Sequence, residues 1–151
     1  MKHKIDGRLY KKMMEALPIA CADLVIVSNG KFLLGKRKNS PAKGQWYPPG
    51  GRILKGEKIE SAAKRKAKEE VGLNIRVKDL KYLMNKETIF RNPSRHTINS
   101  VFSCEISEAM AKKVVADDSQ IEKLEWFNKI HSYFPPYVKN ILSAYKAKYK
   151  K

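Results

Sequence analysis

The fold is decided by residues 50–73, GGRILKGEKIESAAKRKAKEEVGL. This stretch predicts a glycine-rich loop that enters one helix, with Glu57 standing where the helix should begin and Gly72 where it should end. At about 100° per residue, one face of that helix, which should be the packed face, holds Ile59, Ala62, Ala63 and Ala67. Glu70 falls within the same face. A carboxylate on a packed face is costly unless it is paired or binds a metal, so the helix is a candidate functional site.

A plainer interpretation of the helix stays open. Arg65 and Glu69 are four residues apart, and so are Lys66 and Glu70. Such pairs form ordinary surface salt bridges worth about 0.3–0.5 kcal/mol each. The helical wheel alone does not separate a charged surface helix from a buried site, but the spacing of the whole stretch favours the site.

That spacing resembles the signature of the Nudix hydrolase superfamily, the MutT-like enzymes, between residues 51 and 73. The fixed positions of the signature are matched by Gly51, Glu57, Arg65, Ala67, Glu69, Glu70, Gly72 and Leu73, whereas Lys66 stands where the family usually has Glu. The resemblance implies an α/β fold, namely an α/β/α sandwich with a mixed β-sheet between helices. It also implies a loop and helix that bind Mg²⁺, or Mn²⁺ as a substitute, and cradle a diphosphate. Carboxylates are the hard oxygen ligands that suit Mg²⁺.

Residues 17–73 are similar, more narrowly, to the GDP-mannose mannosyl hydrolase branch of that superfamily. The similarity lies in a strand aspartate, a GKR strand end and the loop NSPAKGQWYPPGGR at residues 39–52. The branch cleaves between the anomeric carbon of the sugar and the phosphate, and releases GDP. Its substrate contacts correspond here to Asp23, to Arg37 and to Arg52, with the two arginines holding the diphosphate.

The resemblance also implies the metal ligands and the residue that orients them. The backbone carbonyl of Gly50 and the carboxylates of Glu69 and Glu70 would bind the metal. Gln120, in the late acidic loop, matches a further ligand. Arg65 would orient the metal-binding carboxylates and belongs to the catalytic set with Glu69, Glu70 and Arg52.

The general base of the branch has no counterpart at its usual position. A histidine follows the ligand glutamine in the branch, but this chain has Ile121 there, which cannot take a proton. Glu122, Glu69 and His96 stay open as replacements, and so does attack of water on phosphorus. Lys66 would repel a second cation, which predicts a single tightly held Mg²⁺.

The length and composition favour one domain, residues 1–151, in a reducing cytoplasmic setting. At 151 residues the chain is long enough for a real core, and it has no apolar run of about 18 residues that would cross a membrane. The start of the chain has no apolar segment typical of a secretory signal. Cys21 and Cys104 lie in apolar, strand-like runs, which favours buried thiols over a disulfide.

The net charge of +17, from 32 Lys and Arg against 15 Asp and Glu, favours an anionic partner. A lysine-rich surface with no specific partner stays open, because the lysines are spread along the chain. The leading hypothesis is a Mg²⁺-dependent hydrolase of a nucleotide sugar similar to GDP-mannose. One alternative is a pyrophosphohydrolase that attacks phosphorus in ADP-ribose, a nucleoside triphosphate or an RNA cap. Another is a non-catalytic, RNA-binding protein on the same fold. Homodimers occur in the branch, and this chain leaves that open.

The remaining elements follow from periodicity and turn residues. Pro18 ends a first helix, Asn29-Gly30 predicts a two-residue hairpin, and Pro135-Pro136 opens the last helix. The apolar stripe of that last helix is formed by Tyr137, Ile141, Leu142 and Tyr145. We predict helices at 4–16 and 107–115, the second capped by Ser107, strands at 19–28, 31–37, 74–77, 81–84, 97–106 and 124–127, and a loop or hairpin tip at 85–96.

Overall fold

The protein is built on one mixed sheet with helices on both faces. The computed structural model describes residues 5–117 and 119–150. In chain order the elements are α1 (Gly7–Ala16), β1 (Ile19–Ser28), β2 (Lys31–Arg37), β3 (Trp46–Tyr47), β4 (Gly50–Arg52), α2 (Ile59–Val71), a 3₁₀ helix (Val77–Asp79), β5 (Lys81–Arg91), β6 (Ser94–Glu105), α3 (Glu108–Ala111), β7 (Ile121–Phe127) and α4 (Pro136–Tyr149). None of the described helices is long and apolar enough to cross a membrane.

Strand β1 lies at the centre of the sheet. It runs parallel to β6, from Ile19 opposite Thr97 onward, and antiparallel to β2 and β4. The strand order is β3-β2-β1-β6-β5, with β4 paired to β1 and β7 paired to β2. Asp23 of β1 lies opposite Gly50 of β4, so this pairing brings the glycine-rich loop to the middle of the sheet.

The two faces of β1 pack on different helices, as its apolar residues on both faces require. Leu24 packs with Ala62 and Ala67 of α2, and these alanines allow a close approach of helix and sheet. On the opposite face, Val25 packs with Ile141 of α4. These two layers confirm the expected α/β/α sandwich.

Helix α2 agrees with its predicted end and differs at its start. Gly72 caps its C-terminus in the left-handed conformation at φ +71°, as the glycine pattern predicts. The helix begins at Ile59 rather than at Glu57, and Ile59 is 42% exposed although the wheel places it on the packed face. Residues 58–60 are all exposed, and the buried face of the helix begins at Ala62.

Two predictions for the middle of the chain are wrong in extent or type. Residues 74–77 are not a strand, and a 3₁₀ helix begins at Val77 instead. Residues 85–96 are mostly strand, because β5 continues to Arg91 and β6 starts at Ser94, with the tip of the hairpin at 92–93. One face of this hairpin is half-buried at Lys86, Thr88 and Phe90, but two of these three residues are polar, and Ile89 lies on the exposed face. The sequence therefore shows no apolar alternation here.

The ends of the chain and the cysteines follow the predictions more closely. Helix α1 begins at Gly7, after Asp6, whose carboxylate accepts from the backbone N–H of Arg8, and residue 4 of the predicted range lies outside the described residues. Ser107 caps α3 as predicted, although that helix is only four residues long. Cys21 and Cys104 are buried free thiols.

Candidate active site

Arg65 joins the glycine-rich loop to helix α2. Its guanidinium donates two hydrogen bonds to Glu57, at 2.8 and 3.0 Å, and one to Glu69 at 3.1 Å. A further bond, of 2.9 Å, reaches the backbone carbonyl of Arg52. The hydrogen bonds from Arg65 lower the pKa of Glu57. Both ion pairs of the plainer interpretation form, but Lys66 and Glu70 are largely buried and Arg65 also binds a loop carbonyl, so α2 is more than a plain surface helix.

Glu70 is the buried carboxylate that the helical wheel predicts, at 8% exposure. Its Oε2 accepts a hydrogen bond of 3.0 Å from the backbone N–H of Gly50, and its Oε1 lies 3.3 Å from Nζ of Lys66. Burial raises the pKa of Glu70, while the Lys66 ammonium opposes that rise. The carboxylate is therefore held at the loop by one backbone amide and one cation.

Lys66 lies between the two carboxylates of α2. Its Nζ is 3.3 Å from Glu70 and 3.5 Å from Glu69, and its side chain is only 16% exposed. The aliphatic part of the side chain lies so close to Gly51 that a Cβ on that residue would come within 2.8 Å of Lys66 Cε. Gly51 thus leaves room for the lysine, and the ammonium is a built-in cation at the position where the family signature has an acid.

Two small cavities flank Gly50 and share Arg37, Tyr47 and Pro48. The first, which we call the Glu70 cavity, has a volume of about 40 Å³ and is lined by Gly35, Arg37, Tyr47, Pro48, Pro49, Gly50, Glu70, Val71, Gln120, Ile121 and Leu124. It brings together the predicted ligands Gly50, Glu70 and Gln120 from three separate parts of the chain.

The second, which we call the Asp23 cavity, lies on the other side of Gly50 and has a volume of about 110 Å³. Its lining residues are Asp23, Arg37, Pro41, Tyr47, Pro48, Gly50, Gly51, Thr88, Phe90, Arg95, Thr97, Asn99 and Tyr137. The Tyr137 hydroxyl donates a short hydrogen bond to Asp23 Oδ2. Burial is the main cause that raises the pKa of Asp23 to about 7. Asp23 and Arg37 therefore face one polar cavity, next to the carboxylates of α2.

Cavity size alone would select other places, first a cavity of about 460 Å³ whose lining includes Ser28, Glu108 and Trp126. A cleft of about 400 Å³ lies beside α4 and is lined by residues that include Lys81, Glu105 and Tyr145. None of the residues that the sequence singled out for catalysis or binding lines this cleft. The convergence of charged side chains around Gly50, rather than volume, locates the candidate active site.

The donors around Glu70 suit one hard divalent cation. The lining of the Glu70 cavity includes Glu70 and Gln120, and carboxylate and amide oxygen atoms are both ligands for Mg²⁺. Among residues 5–117 and 119–150, no group of three or more His, Cys, Asp or Glu side chains is placed to hold a metal. The residues therefore fit a cation with few protein carboxylates, beside the ammonium of Lys66.

The residues considered as replacements for the missing base lie in different places. Ile121 lines the Glu70 cavity and packs on Gly35, as an apolar wall. His96 lies 2.9 Å from Glu87 on the outer hairpin, and Glu122 pairs with Lys36. Neither His96 nor Glu122 lines the two cavities around Gly50, so the structure does not bring them to the site.

Glu69 and Arg52 complete the set of sequence-predicted residues. Glu69 is tied to Arg65 and Lys66, and so lies next to Glu70 on the same turn of α2. The guanidinium of Arg52 lies 5.4 Å from the ring centre of Tyr10 of α1, a cation–π contact. The N-terminal helix therefore takes part in positioning an arginine of the loop.

Sequence reasoning missed two residues of the site, Tyr137 and Arg95. Tyr137 is part of the apolar stripe that predicts the packed face of α4, and nothing in that stripe marks its hydroxyl as a partner of Asp23. Arg95 lies in the polar segment that the sequence predicts to be a loop or hairpin tip. The alternation of Arg95, Thr97 and Asn99 along one strand was the available signal for a polar cavity wall.

Comparison with known proteins agrees with this architecture. A family model for the NUDIX domain matches residues 18–136. The chain is 27% identical over 145 residues to the low-salt glycan biosynthesis protein Agl8 of Haloferax volcanii, covering 93% of this chain and 90% of that protein. It is 39% identical over 103 residues to the ADP-ribose pyrophosphatase of Methanocaldococcus jannaschii, covering 68% of this chain but only 59% of that relative.

Solved structures share the fold. The crystal structure of a MutT NUDIX hydrolase from Burkholderia pseudomallei matches with a TM-score of 0.74 at 24% identity, covering 84% of this chain and 97% of that one. A MutT protein from Methanosarcina mazei Go1 gives a TM-score of 0.73 at 19% identity, covering 89% and 97%. With a domain match over most of its length and the loop–helix unit in place, the chain belongs to the NUDIX domain family and is a Nudix hydrolase.

Proposed function

We propose that this hydrolase acts, with a divalent cation, on a nucleoside diphosphate that carries a sugar, with a GDP-mannose-like nucleotide sugar as the first candidate. One observation carries the proposal. The buried Glu70, Gln120 and the cationic Arg37 all line one cavity at Gly50. A carboxylate, a neutral oxygen donor and a guanidinium suit a metal-bound diphosphate.

The metal would be Mg²⁺, held by Glu70, by Gln120 and by the backbone carbonyl of Gly50, with Glu69 beside them. When bound, the ion supplies electrostatic stabilisation of the diphosphate oxygens. Arg65 binds Glu57, Glu69 and the loop carbonyl of Arg52 through its four hydrogen bonds, and would thereby orient the ligands.

The substrate would lie along Arg37 and across the two cavities. Arg37 lines both of them, and its Nε donates a hydrogen bond of 2.8 Å to the Pro41 carbonyl, which fixes the position of the guanidinium. Arg37 and Arg52 would bind the diphosphate and offset the charge that grows on the leaving group. Asp23 would accept a hydrogen bond from a substrate hydroxyl. Of the three carboxylate or imidazole candidates for the base, Glu69 is the nearest in the chain to Glu70, although it lines neither cavity and its carboxylate pairs with Arg65 and Lys66.

The relatives support a sugar-linked nucleoside diphosphate and leave two bonds as candidates for cleavage. The similarity to a glycan biosynthesis protein over nearly the whole chain favours a nucleotide sugar, with cleavage at the anomeric carbon. The similarity to an ADP-ribose pyrophosphatase favours the second candidate, attack of water on phosphorus. Ile121 also favours the second, since the branch that cleaves at carbon has a histidine at that position.

The deciding experiment is ³¹P NMR of the purified protein with Mg²⁺ and a panel of nucleotide sugars, ADP-ribose and nucleoside triphosphates in H₂¹⁸O. Release of a nucleoside diphosphate and free sugar, with ¹⁸O on the sugar, establishes cleavage at carbon. A nucleoside monophosphate with ¹⁸O on phosphate establishes attack on phosphorus. No turnover of any sugar-linked nucleoside diphosphate would refute the proposed substrate class.

A matched pair of variants shows whether turnover comes from this site. Glu70→Gln removes the buried charge and should reduce kcat by at least about 100-fold, as loss of a metal-binding or transition-state contact does. Glu60→Gln removes an exposed charge from the same helix and should keep kcat within about twofold of the wild type.

A further inference from the structure

The guanidinium of Arg95 faces the Asp23 cavity without a carboxylate partner. Its two hydrogen bonds, of 3.3 and 3.4 Å, both go to the thioether sulfur of Met14 in α1. A thioether is a weak and uncharged acceptor, so it holds the group in place without neutralising it. Within the described part of the chain, Arg95 forms no salt bridge, although it is only partly exposed.

Arg37, on the opposite wall of the same cavity, is in a similar state. Its Nε donates to a backbone carbonyl, and its guanidinium lies 5.9 Å from the ring centre of Tyr47. Burial, and after it the like charge of Arg95, lowers the pKa of Arg37. Two guanidinium groups close enough to repel each other are stabilised when an anion binds between them.

The cavity between these arginines is polar and positively charged. Thr97 and Asn99 follow Arg95 on one face of β6, because side chains alternate along a strand, and Thr88 of β5 lies opposite Thr97. Asp23 is the one carboxylate among the lining residues, and one of its oxygens already accepts from the Tyr137 hydroxyl. Two guanidinium groups against one carboxylate leave the cavity with a net positive charge.

We propose that Arg95 is a substrate-binding residue which, together with Arg37, binds an oxyanion of the nucleotide substrate in the Asp23 cavity. This inference rests on the proposed function and adds a recognition element outside the glycine-rich loop and α2. The oxyanion is either an oxygen of the diphosphate or a carboxylate on the sugar attached to it. Arg37 lines both cavities, so the diphosphate at Glu70 and the group at Arg95 belong to one continuous site.

Binding experiments separate the two sources of the oxyanion without relying on turnover. Isothermal titration calorimetry with Mg²⁺ present would compare inorganic pyrophosphate, GDP-mannose and its uronate counterpart, which differs by one carboxylate. The proteins are the wild type, Arg95→Gln and Arg95→Lys. Arg91→Gln is the matched control, because Arg91 is an exposed arginine on the same hairpin that does not line the cavity.

We expect Arg95→Gln to weaken binding about 10-fold or more, the usual loss for a hydrogen bond between charged groups, and Arg95→Lys to recover part of it. Arg91→Gln should stay within about twofold of the wild type for every ligand. A loss for all three ligands assigns Arg95 to the diphosphate, and a loss confined to the uronate assigns it to a sugar carboxylate. Unchanged affinity of Arg95→Gln for all three would overturn the inference.

The inference and the proposed function fail in different ways. If Arg95→Gln weakens pyrophosphate binding while the NMR panel shows no hydrolysis of any sugar-linked nucleotide, the anion site stands and the proposed substrate class falls. If hydrolysis occurs and the affinities are unchanged, the substrate class stands and Arg95 has no role in binding it. Circular dichroism and thermal unfolding of each variant identify any loss that comes from misfolding, and Arg95→Lys keeps the charge in that case.

Discussion

Removal of the Lys66 ammonium should destabilise the metal-free protein and make its stability depend on a divalent cation. The Lys66→Met variant keeps the length of the side chain and removes its charge. In this variant the buried Glu70 would keep the Gly50 N–H as its remaining partner. The carboxylates of Glu69 and Glu70 would also repel each other more strongly, because the ammonium between them is gone. The pKa of Glu70 would rise further, because the lysine is the main group that lowers it.

The size of the effect follows from the burial of the pair. Breaking a fully buried ion pair costs about 3–5 kcal/mol. Lys66 keeps 16% of its side-chain exposure and Glu70 retains one backbone hydrogen bond, so we expect a loss of about 2 kcal/mol in the free energy of unfolding. For a chain of this size that corresponds to a decrease in Tm of about 4–8 °C.

The assay is thermal unfolding with EDTA and with saturating Mg²⁺, on the wild type, Lys66→Met and the control Lys68→Met. Lys68 is exposed on the same helix, so its variant should differ from the wild type by less than about 0.5 kcal/mol. Mg²⁺ should restore most of the stability of Lys66→Met and raise that of the wild type less, because the ion replaces the missing cation. Titration calorimetry should give one tight divalent site in the wild type and higher occupancy in Lys66→Glu.

Two results would refute this reasoning. One is a metal-free Lys66→Met protein as stable as Lys68→Met. The other is an equal gain from Mg²⁺ in all three proteins. A double-mutant cycle adds a check, since Lys66→Met should cost under about 1 kcal/mol in a Glu70→Gln background if the two side chains are coupled.

Three further predictions concern the loop, the arginine and the buried aspartate. Gly50→Ala should lower the free energy of unfolding in urea by more than about 3 kcal/mol, because its Cβ would overlap Asp23 Oδ1. Gly7→Ala, whose Cβ meets nothing within 4 Å, should change that free energy little. Equal losses in the two variants would exclude the overlap as the cause. Arg65→Lys should lower kcat about 10- to 100-fold in steady-state kinetics, with a small change in KM. The reason is that a single ammonium cannot bind both oxygens of Glu57 and the loop carbonyl at the same time, as the guanidinium does. An unchanged kcat would contradict this role. The pKa of Asp23 is raised from 3.8 to about 7, so between these values the folded state holds a proton that the unfolded chain has released. The free energy of unfolding should therefore fall by up to about 1.4 kcal/mol per pH unit as the pH rises from about 4 to 7. Asp23→Asn should remove that slope in urea unfolding between pH 5 and 8, and parallel stability-versus-pH curves for variant and wild type would refute it.

The parts of the fold that local pattern determines could be predicted from the sequence. Strand β1, the Asn29-Gly30 hairpin, Gly72 at the end of α2 and the packed stripe of α4 each depend on a few neighbouring residues, and the structure confirms all four. The β5–β6 hairpin could not be delimited, because Lys86 and Thr88, two of the half-buried residues that alternate along β5, are polar. A strand is recognised from its sequence by apolar residues on the covered face, and residues 85–96 place few of them there.

The site divides in the same way. The spacing of residues 51–73 is a local property, and it predicts the buried Glu70 and the central place of Arg65. Tyr137 reaches Asp23 across 114 positions of the chain, and Arg95 reaches Met14 across 81. Contacts between residues so far apart in the chain depend on the parallel pairing of β1 with β6 and on which face of the sheet each helix covers. Neither of these can be deduced from a single sequence.

Helix α1 gives the arginines of the site an unusual support. None of its residues is buried, and Leu9 is 53% exposed, so few apolar contacts oppose its local opening. Tyr10 and Met14, which contact Arg52 and Arg95, would leave together in one such event. The time for which Arg52 and Arg95 keep this arrangement therefore depends on how seldom α1 opens. Amide exchange in residues 7–16 measures that persistence directly.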